Sequence, residues 1–486
     1  MTRLLSIKLI SIVSLLLLGG GSCNEDLKLA PIGTELSGPI ALTTDKNAEH
    51  FYVLNSDFRH AYQSGSILIL DKDGNKVNFL GTPRLGRVMV RKDSNLLVAY
   101  DREEEGDLAL FEHYDISTPT QPKQVRSQNL DEDCTPANIV ARDGYDYYAL
   151  SCQEGGLYIG DITKNTLKKV RDYPKVPGGI RRAMFIDKTR GLLYLFMTDI
   201  SGGVLVDKQA EDKETWVEGQ KTIADAADEI PDNLQSTAPL ASNTLNATTA
   251  WQFMVYDITA EKAADFPYRD FKKVRTTEPR WLYFDLKNWD QTPDISLSPG
   301  TRYYRTNFWS AEPDNEKDDV FYLSHRGTTK TNRSEHANSV VEVKLSGNPR
   351  VNSKNEVPKL DTYMKFRRVY GFKGNQTGTD RYFNSFMITE LSGKKVVLLN
   401  SFRDLSNFSN PRYLIGGAEI PEKEGMQGVW SKDKSSTDLD SSYYELALIK
   451  DGNTKGNLLT ISFFNESLVL FRVEFGKDLS LVKTIQ

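Results

Sequence analysis

Two stretches far apart in the chain, HFYVLNSDFRHAYQSGSILILDKDGNKV (His50–Val77) and LLTISFFNESLVLFRVEFGKDLSLVKTI (Leu458–Ile485), share one plan. Each runs as an apolar strand, a polar turn, an alternating strand, a turn holding Gly or Asp, and a third strand. The plan recurs in LLVAYDREEEGDLALFEHYDI from Leu96, YYALSCQEGGLYIGDI from Tyr147 and VFYLSHRGTTKTNRSEHANSVVEVKL from Val320. A split copy begins at Leu192 (LLYLFMTDI) and resumes at Trp251 (WQFMVYDI). Before most copies stands one more apolar strand: PIALTTD, GRVMVRKD, PANIVARD, RAMFIDK or YELALIKD. The repeating unit is thus four short strands and a polar link.

One four-stranded sheet cannot bury both of its faces alone, so neighbouring sheets must stack and the row must close on itself. Four strands, a link and four more strands is the pattern of β-propeller blades. The FYVLN…SILILDKDGNKV copy resembles the YVTN-type bacterial propeller repeat, and its kin cover nearly the whole chain after the leader. The resemblance implies an all-β, single β-propeller domain over residues 37–486. Blades are expected to start near Ser37, Leu85, Cys134, Ile180, Arg280, Arg381 and Ser442. That gives seven four-stranded blades, with six or eight as alternatives. Residues 180–361 hold only two recognisable copies, so blades four and five carry long insertions. One is residues 208–250, between the second and third strands of blade four, with a short helix expected at QKTIADAADEI; the other is Trp289–Trp309. Long loops of this kind are more often functional than decorative.

The leader sets the compartment. Leu9–Leu18 is apolar, preceded by Arg3 and Lys8 and followed by three glycines. A spanning helix needs about 20 apolar residues, so the run fits a secretory signal peptide over residues 1–22. LLLLGGGSC, ending at Cys23, resembles a bacterial lipobox, although Gly20 stands where Leu or Val is usual and Leu18 lies two positions upstream. The resemblance implies lipidation of Cys23, with residues 23–36 a linker, and multiple acyl chains on one residue anchor stably. Asn24-Glu25-Asp26 resembles the acidic signal behind the lipidated cysteine in surface-exported lipoproteins of Bacteroidetes-type bacteria. The expectation is an outer-membrane lipoprotein facing outward, with periplasmic or secreted placement as alternatives. Ordinary secretion, with Cys23 an incidental thiol, is the plainer possibility.

Composition excludes several partners. Loss of Arg3 and Lys8 takes the 61 Lys and Arg to 59, against 66 Asp and Glu, a charge of −7. An acidic balance without a basic tract argues against nucleic acid and against electrostatic attachment to anionic lipid. A content of 39% hydrophobic and 10% aromatic residues is ample for a folded core. The remaining cysteines, Cys134 and Cys152, flank a hairpin turn in ARDGYD. With Asp143 at the centre of a three-residue turn they fall directly opposite each other, which predicts a disulfide contributing about 3 kcal/mol. No CxxC spacing supports a redox role.

In a propeller the loops joining second to third strands emerge on one face. Of the five histidines, His60, His325 and His336 fall in those loops, with Arg59, Tyr62, Arg326 and Arg333 beside them. The matching loop of blade two supplies Asp101, Glu103, Glu104, Glu105 and Asp107. Trp289 and Trp309, in the second insertion, are further contact candidates, whereas Trp251 and Trp281 sit in strand-like runs expected in the core. The bland alternative is that loops are polar everywhere. No metal or cofactor is expected: His60 and His325 lack HxH or HExxH spacing, and Asp71–Asn75 lacks the distal ligands of a calcium loop and reads as a hairpin turn. There is no GxSxG elbow or phosphate loop. The expected function is binding of a protein or glycan through one loop face, with no catalytic residues assigned. A propeller-type hydrolase or lactonase, metal-assisted or not, is the alternative, and a structural envelope scaffold is a third.

Overall fold

The computed structural model describes residues 36, 38–56, 65–102, 107–152, 156–171, 183–196, 251–258, 281–282, 304–329, 338–347, 364–371, 381–403, 413–420, 443–462, 467–477 and 479–486. The signal, the linker up to residue 35 with Cys23, and the 208–250 insertion lie outside them.

Every sheet is built from strands consecutive in the chain, each antiparallel to the next. The first comprises β1 (Pro39–Thr44), β2 (His50–Asn55), β3 (Gly65–Asp71) and β4 (Lys76–Thr82). The second is β5 (Gly86–Lys92), β6 (Asn95–Tyr100), β7 (Leu110–Asp115) and β8 (Lys123–Asn129). The third is β9 (Pro136–Ala141), β10 (Tyr147–Cys152), β11 (Leu157–Asp161) and β12 (Thr166–Arg171). The fourth is β13 (Ala183–Asp187), β14 (Leu192–Phe196), β15 (Trp251–Asp257) and β16 (Trp281–Leu282). The fifth is β17 (Tyr304–Pro313), β18 (Val320–Thr329), β19 (Asn338–Leu345) and β20 (Met364–Gly371). Next come β21 (Arg381–Leu391), β22 (Lys394–Arg403) and β23 (Tyr413–Glu419), then β24 (Tyr443–Asp451), β25 (Lys455–Ser462), β26 (Ser467–Glu474) and β27 (Ser480–Ile485). The fold is a single all-β propeller.

Two expectations need correction. Six blades are four-stranded, not seven: the sheet β21–β23 has three strands among the described residues. Blade five begins at Tyr304, not near Arg280, because Trp281–Leu282 pairs with Trp251–Gln252 as the outer strand of blade four. The apolar run that starts at Trp281 (WLYFDL) does not by itself reveal which sheet it joins.

The sheets stack face to face through apolar side chains, as the strand patterns require. Tyr52, Leu54, Ile67 and Ile69 of the first pack on Met89, Val98, Tyr100 and Tyr114 of the second. Leu97 and Phe111 meet Tyr148 and Leu150, and Ala149 and Leu157 meet Met184 and Leu193. Phe185 stacks on Phe321 at 4.2 Å between the fourth and fifth. Tyr322 and Val340 pack on Phe386 and Val397, and Leu398 and Ile415 on Leu458 and Val469. Phe51, Val53 and Leu68 then meet Leu459, Ile461 and Leu470, which closes the ring between the last sheet and the first.

The disulfide joins Cys134 to Cys152, with Cα atoms 5.1 Å apart. The register behind the expectation is different, however. Tyr148 pairs with Ala141 and Leu150 with Ile139, so the β9–β10 loop is longer than three residues. A Tyr145 N–H to Arg142 carbonyl bond shapes that loop, and Asp143 is drawn away to Arg91. Cys134 sits in a turn before β9, where its N–H reaches the Asp131 carbonyl, and a register shift at Cys152 brings the two sulfurs together.

Candidate functional site

The first strand of every sheet faces the axis. Together β1, β5, β9, β13, β17, β21 and β24 line a central channel of about 590 Å³, to which they give Ala41, Met89, Ile139, Met184, Glu312, Phe386 and Leu446 among others. The two ends of this channel differ.

At one end lie the hairpins between first and second strands, bound to one another around the ring. Lys46 is 3.8 Å from Asp93, whose carboxylate accepts the Gly144 N–H at 3.1 Å. Arg91 makes two 2.9 Å contacts with Asp143, the bidentate geometry that makes such pairs strong. Arg142, 8% exposed, lies over the Phe185 ring, donates to the Ile186 carbonyl at 3.3 Å and pairs with Asp318, which Lys188 also reaches at 2.9 Å. Lys395 contacts Asp314 at 2.6 Å, the Ser392 N–H meets the Asn453 carbonyl, and Asn457 donates to the Lys72 carbonyl at 2.8 Å. Aspartates also cap their own turns: Asp45 takes the Glu49 and His50 N–H groups, Asp187 those of Thr189 and Arg190, and Asp314 those of Glu316 and Lys317. Burial alone would raise the carboxyl groups of Asp93 and Asp314. The Gly144 N–H and Lys92 beside Asp93, and Lys395 and the Glu316 N–H beside Asp314, hold both below the usual carboxylate range.

At the other end the inner strands begin and the second-to-third-strand loops leave, since Pro39 pairs with Asn55 and Gly86 with Tyr100. Here a β-bulge recurs. One extra residue enters the inner strand at Ile40, Arg87, Ala137, Asn384 and Glu445, and within Trp309–Ser310. A bulge bends a strand and re-aims the side chain at that point. Polar groups of the second strand serve the disturbed backbone: Ser324 Oγ accepts the Ser310 N–H at 3.0 Å, Asn400 Oδ1 the Ser385 N–H at 2.8 Å, and Thr460 Oγ1 donates to the Glu445 carbonyl at 2.8 Å. Glu445 itself has φ 55°, which a non-glycine residue seldom adopts.

The bulges leave an acidic patch inside the channel. Glu312 of β17 and Glu445 of β24 both line it. Burial within the ring, with the Glu445 carboxylate adding like charge, pushes Glu312 up to about 8. The Glu312 carboxylate has no hydrogen-bond donor or cation against it among the described residues. Ser385 of β21, the strand between β17 and β24, also lines the channel; it is 6% exposed and its hydroxyl has no partner. Sequence reasoning missed these three. The available signal was a polar residue directly after the apolar run of a second strand (FYLS324, VLLN400, LLT460), which marks the bulge opposite.

Of the residues singled out from the sequence, Asp101 is placed at this end. Its carboxylate lies 3.9 Å from Arg87 Nη1 and accepts the Arg102 N–H at 2.9 Å. His325 and Arg326 stand in β18 rather than in the loop, opposite Phe308 and Asn307, because the strand continues to Thr329 against residues expected as an insertion. Trp309 likewise belongs to strand β17, at its bulge. Arg59, His60, Tyr62, Glu103, Arg333, His336 and Trp289 lie outside the described residues. Among the described residues no three His, Cys, Asp or Glu side chains are grouped to hold a metal ion.

No family model matches this chain, and no curated protein matches it. Solved structures that resemble it include the Cps50 (Swd1) beta-propeller domain of Myceliophteria thermophila, at 8% identity and a TM-score of 0.46, covering 91% of this chain and 100% of that one. The RRP9 WD40 repeats align at 10% identity and a TM-score of 0.42, over 90% of this chain and 87% of theirs. A hypothetical selenium-binding protein from Sulfolobus tokodaii aligns at 9% identity and a TM-score of 0.44, over 93% and 95%. The propeller assignment itself stands on the closed ring of sheets.

Proposed function

We propose that the protein is a cell-envelope lipoprotein whose propeller binds a protein or glycan through the face where the second-to-third-strand loops leave the ring. The observation that carries this reading is the contrast between the two ends of the channel. The hairpin end joins blade to blade through ion pairs and backbone bonds, so its polar groups are occupied with one another. The loop end carries the long connections, including residues 57–64, 101–109 and 330–337. A rigid scaffold with variable loops at one end is how binding surfaces are commonly built. Function still resides in the site rather than in the fold, and the proposed contact set is Arg59, His60, Tyr62, Asp101, Glu103, Trp289, Trp309, His325, Arg326, Arg333 and His336.

The test is a glycan array and a panel of envelope proteins probed with the purified chain, followed by His60→Ala, Asp101→Ala and His325→Ala. Contact energy spread over several side chains predicts a folded variant and only partial loss of binding in each case. Stoichiometric zinc or calcium on elemental analysis, lost together in His60→Ala and His325→Ala, would favour the metal-dependent hydrolase instead.

A further inference from the structure

Among the described residues four cations line the central channel, Arg87, Arg91, Arg142 and Lys188. Arg91 is engaged with Asp143, and Arg142 and Lys188 with Asp318. Arg87 has only Asp101, at 3.9 Å, beyond hydrogen-bond reach. The two side chains are 35% and 31% exposed, and an open pair at that distance contributes little. The Arg87 guanidinium is therefore accessible, sits in a concave site, and makes no hydrogen bond among the described residues.

Its position is built by its neighbours. Gly86 lets β5 lie against blade one, since a Cβ there would fall 2.4 Å from Leu54 Cγ. The Asp101 N–H holds the Leu85 carbonyl at 3.0 Å. Arg87 is the extra residue of the bulge that follows, at the loop end of the channel. Arg102, next to Asp101, is tied to blade three at the Glu132 carbonyl and at Thr135 Oγ1, 3.1 and 3.3 Å away. The surroundings of Arg87 are thus fixed before a ligand arrives, which lowers the cost of binding one.

We propose that Arg87 receives the carboxylate of a single uronate residue in an otherwise neutral glycan, held at the loop-face mouth of the channel. The inference rests on the loop-face reading above and names its ligand. A guanidinium presents a planar fork that meets a carboxylate at two points. The other charges favour one anionic group over a string of them. Asp101 stands beside Arg87, Glu312 and Glu445 line the same channel, and Glu103, Glu104 and Glu105 follow Arg102 in sequence. A polyanion or an acidic peptide would meet repulsion at each, whereas the hydroxyls of a neutral sugar can donate to carboxyl oxygens.

The test is an array of oligosaccharides that hold one uronate each, of gluco, galacto or manno configuration, beside their carboxyl-reduced counterparts. Trigalacturonate and triglutamate complete the set, and binding to the full mature chain is ranked by isothermal titration. At least one single-uronate oligosaccharide is expected to bind, with its carboxyl-reduced counterpart weaker by about tenfold or more and the two polyanions weaker still. Arg87→Gln is expected to lose the same factor for the uronate, to leave the carboxyl-reduced sugar unchanged, and to melt with the parent, because its one contact is long and exposed. Arg87→Lys should recover only part of the affinity. Failure to bind any uronate, preference for trigalacturonate or triglutamate, equal binding of the carboxyl-reduced sugars, or unchanged uronate affinity in Arg87→Gln would overturn the proposal. The two readings fail separately. A ligand weakened by His60→Ala or His325→Ala but indifferent to Arg87→Gln would keep the loop contacts and defeat this inference. Uronate binding lost in Arg87→Gln and untouched by the loop variants would do the reverse.

Discussion

Glu312 and Asp314 stand two residues apart in sequence and pull stability in opposite directions with pH. For Glu312 the folded value, about 8, lies above the ordinary 4.5, so between those values the folded chain holds a proton the unfolded chain has lost. Stability therefore falls as pH rises through that window. Glu312→Gln is expected to flatten this fall and to stabilise the protein at pH 8 by on the order of 2 kcal/mol, read by urea denaturation at pH 5 and 8. Asp314 has a lowered folded value, so its contribution is complete above 3.8 and disappears as pH drops through the folded value. Asp314→Asn should cost roughly 2 kcal/mol at pH 7, because Lys395 keeps only the longer contact with Glu316 and Tyr322 only that with Glu342, and much less at pH 3. The turn-capping role of such aspartates is legible in the sequence, since TTD45, FID187 and EPD314 each stand at the end of a first strand. Glu312 and Glu445 are not, because alternation assigns a strand residue to one face only while the strand is regular. The bulges at Trp309–Ser310 and Glu445 break that parity.

Among the elements, what the sequence states well is the strand and what it states poorly is the junction. LLVAY, YYALSC and VFYLS become second strands as expected, since each is a short apolar run bounded by turn residues. The outer strand of blade four, which includes Trp281–Leu282, could not be told in the sequence from the start of a new blade. The disulfide shows a subtler limit. Its partners were right and its register was wrong, because the Arg142–Asp146 loop is longer than three residues and its Asp143 is engaged by Arg91 of another blade, a contact that local sequence does not show. Replacing both Cys134 and Cys152 by Ala is expected to cost about 3 kcal/mol, measured by denaturant midpoint against the oxidised parent. Phe321→Ala should cost more, about 3–5 kcal/mol, since it empties the stack on Phe185 between blades four and five. A loss below 1 kcal/mol would mean that this junction does not hold the ring together.

For the whole molecule, the proposed anchor sets the setting in which the ring works. If Cys23 is lipidated, Cys23→Ser should move the protein from the detergent phase to the aqueous phase on Triton X-114 partition; an unchanged distribution would favour plain secretion. The ring itself has a property that bears on its history. Each blade is drawn from consecutive strands, and the junction between β24–β27 and β1–β4 is made by the same side-chain stacking as the others, with no strand exchanged across it among the described residues. The chain therefore has no privileged starting blade. A circular permutant that opens the polypeptide between Ile420 and Tyr443 and links Gln486 to Leu36 should rebuild the same circle. By the same logic, an ancestor could have gained or shed whole blades by tandem duplication without redesigning a clasp.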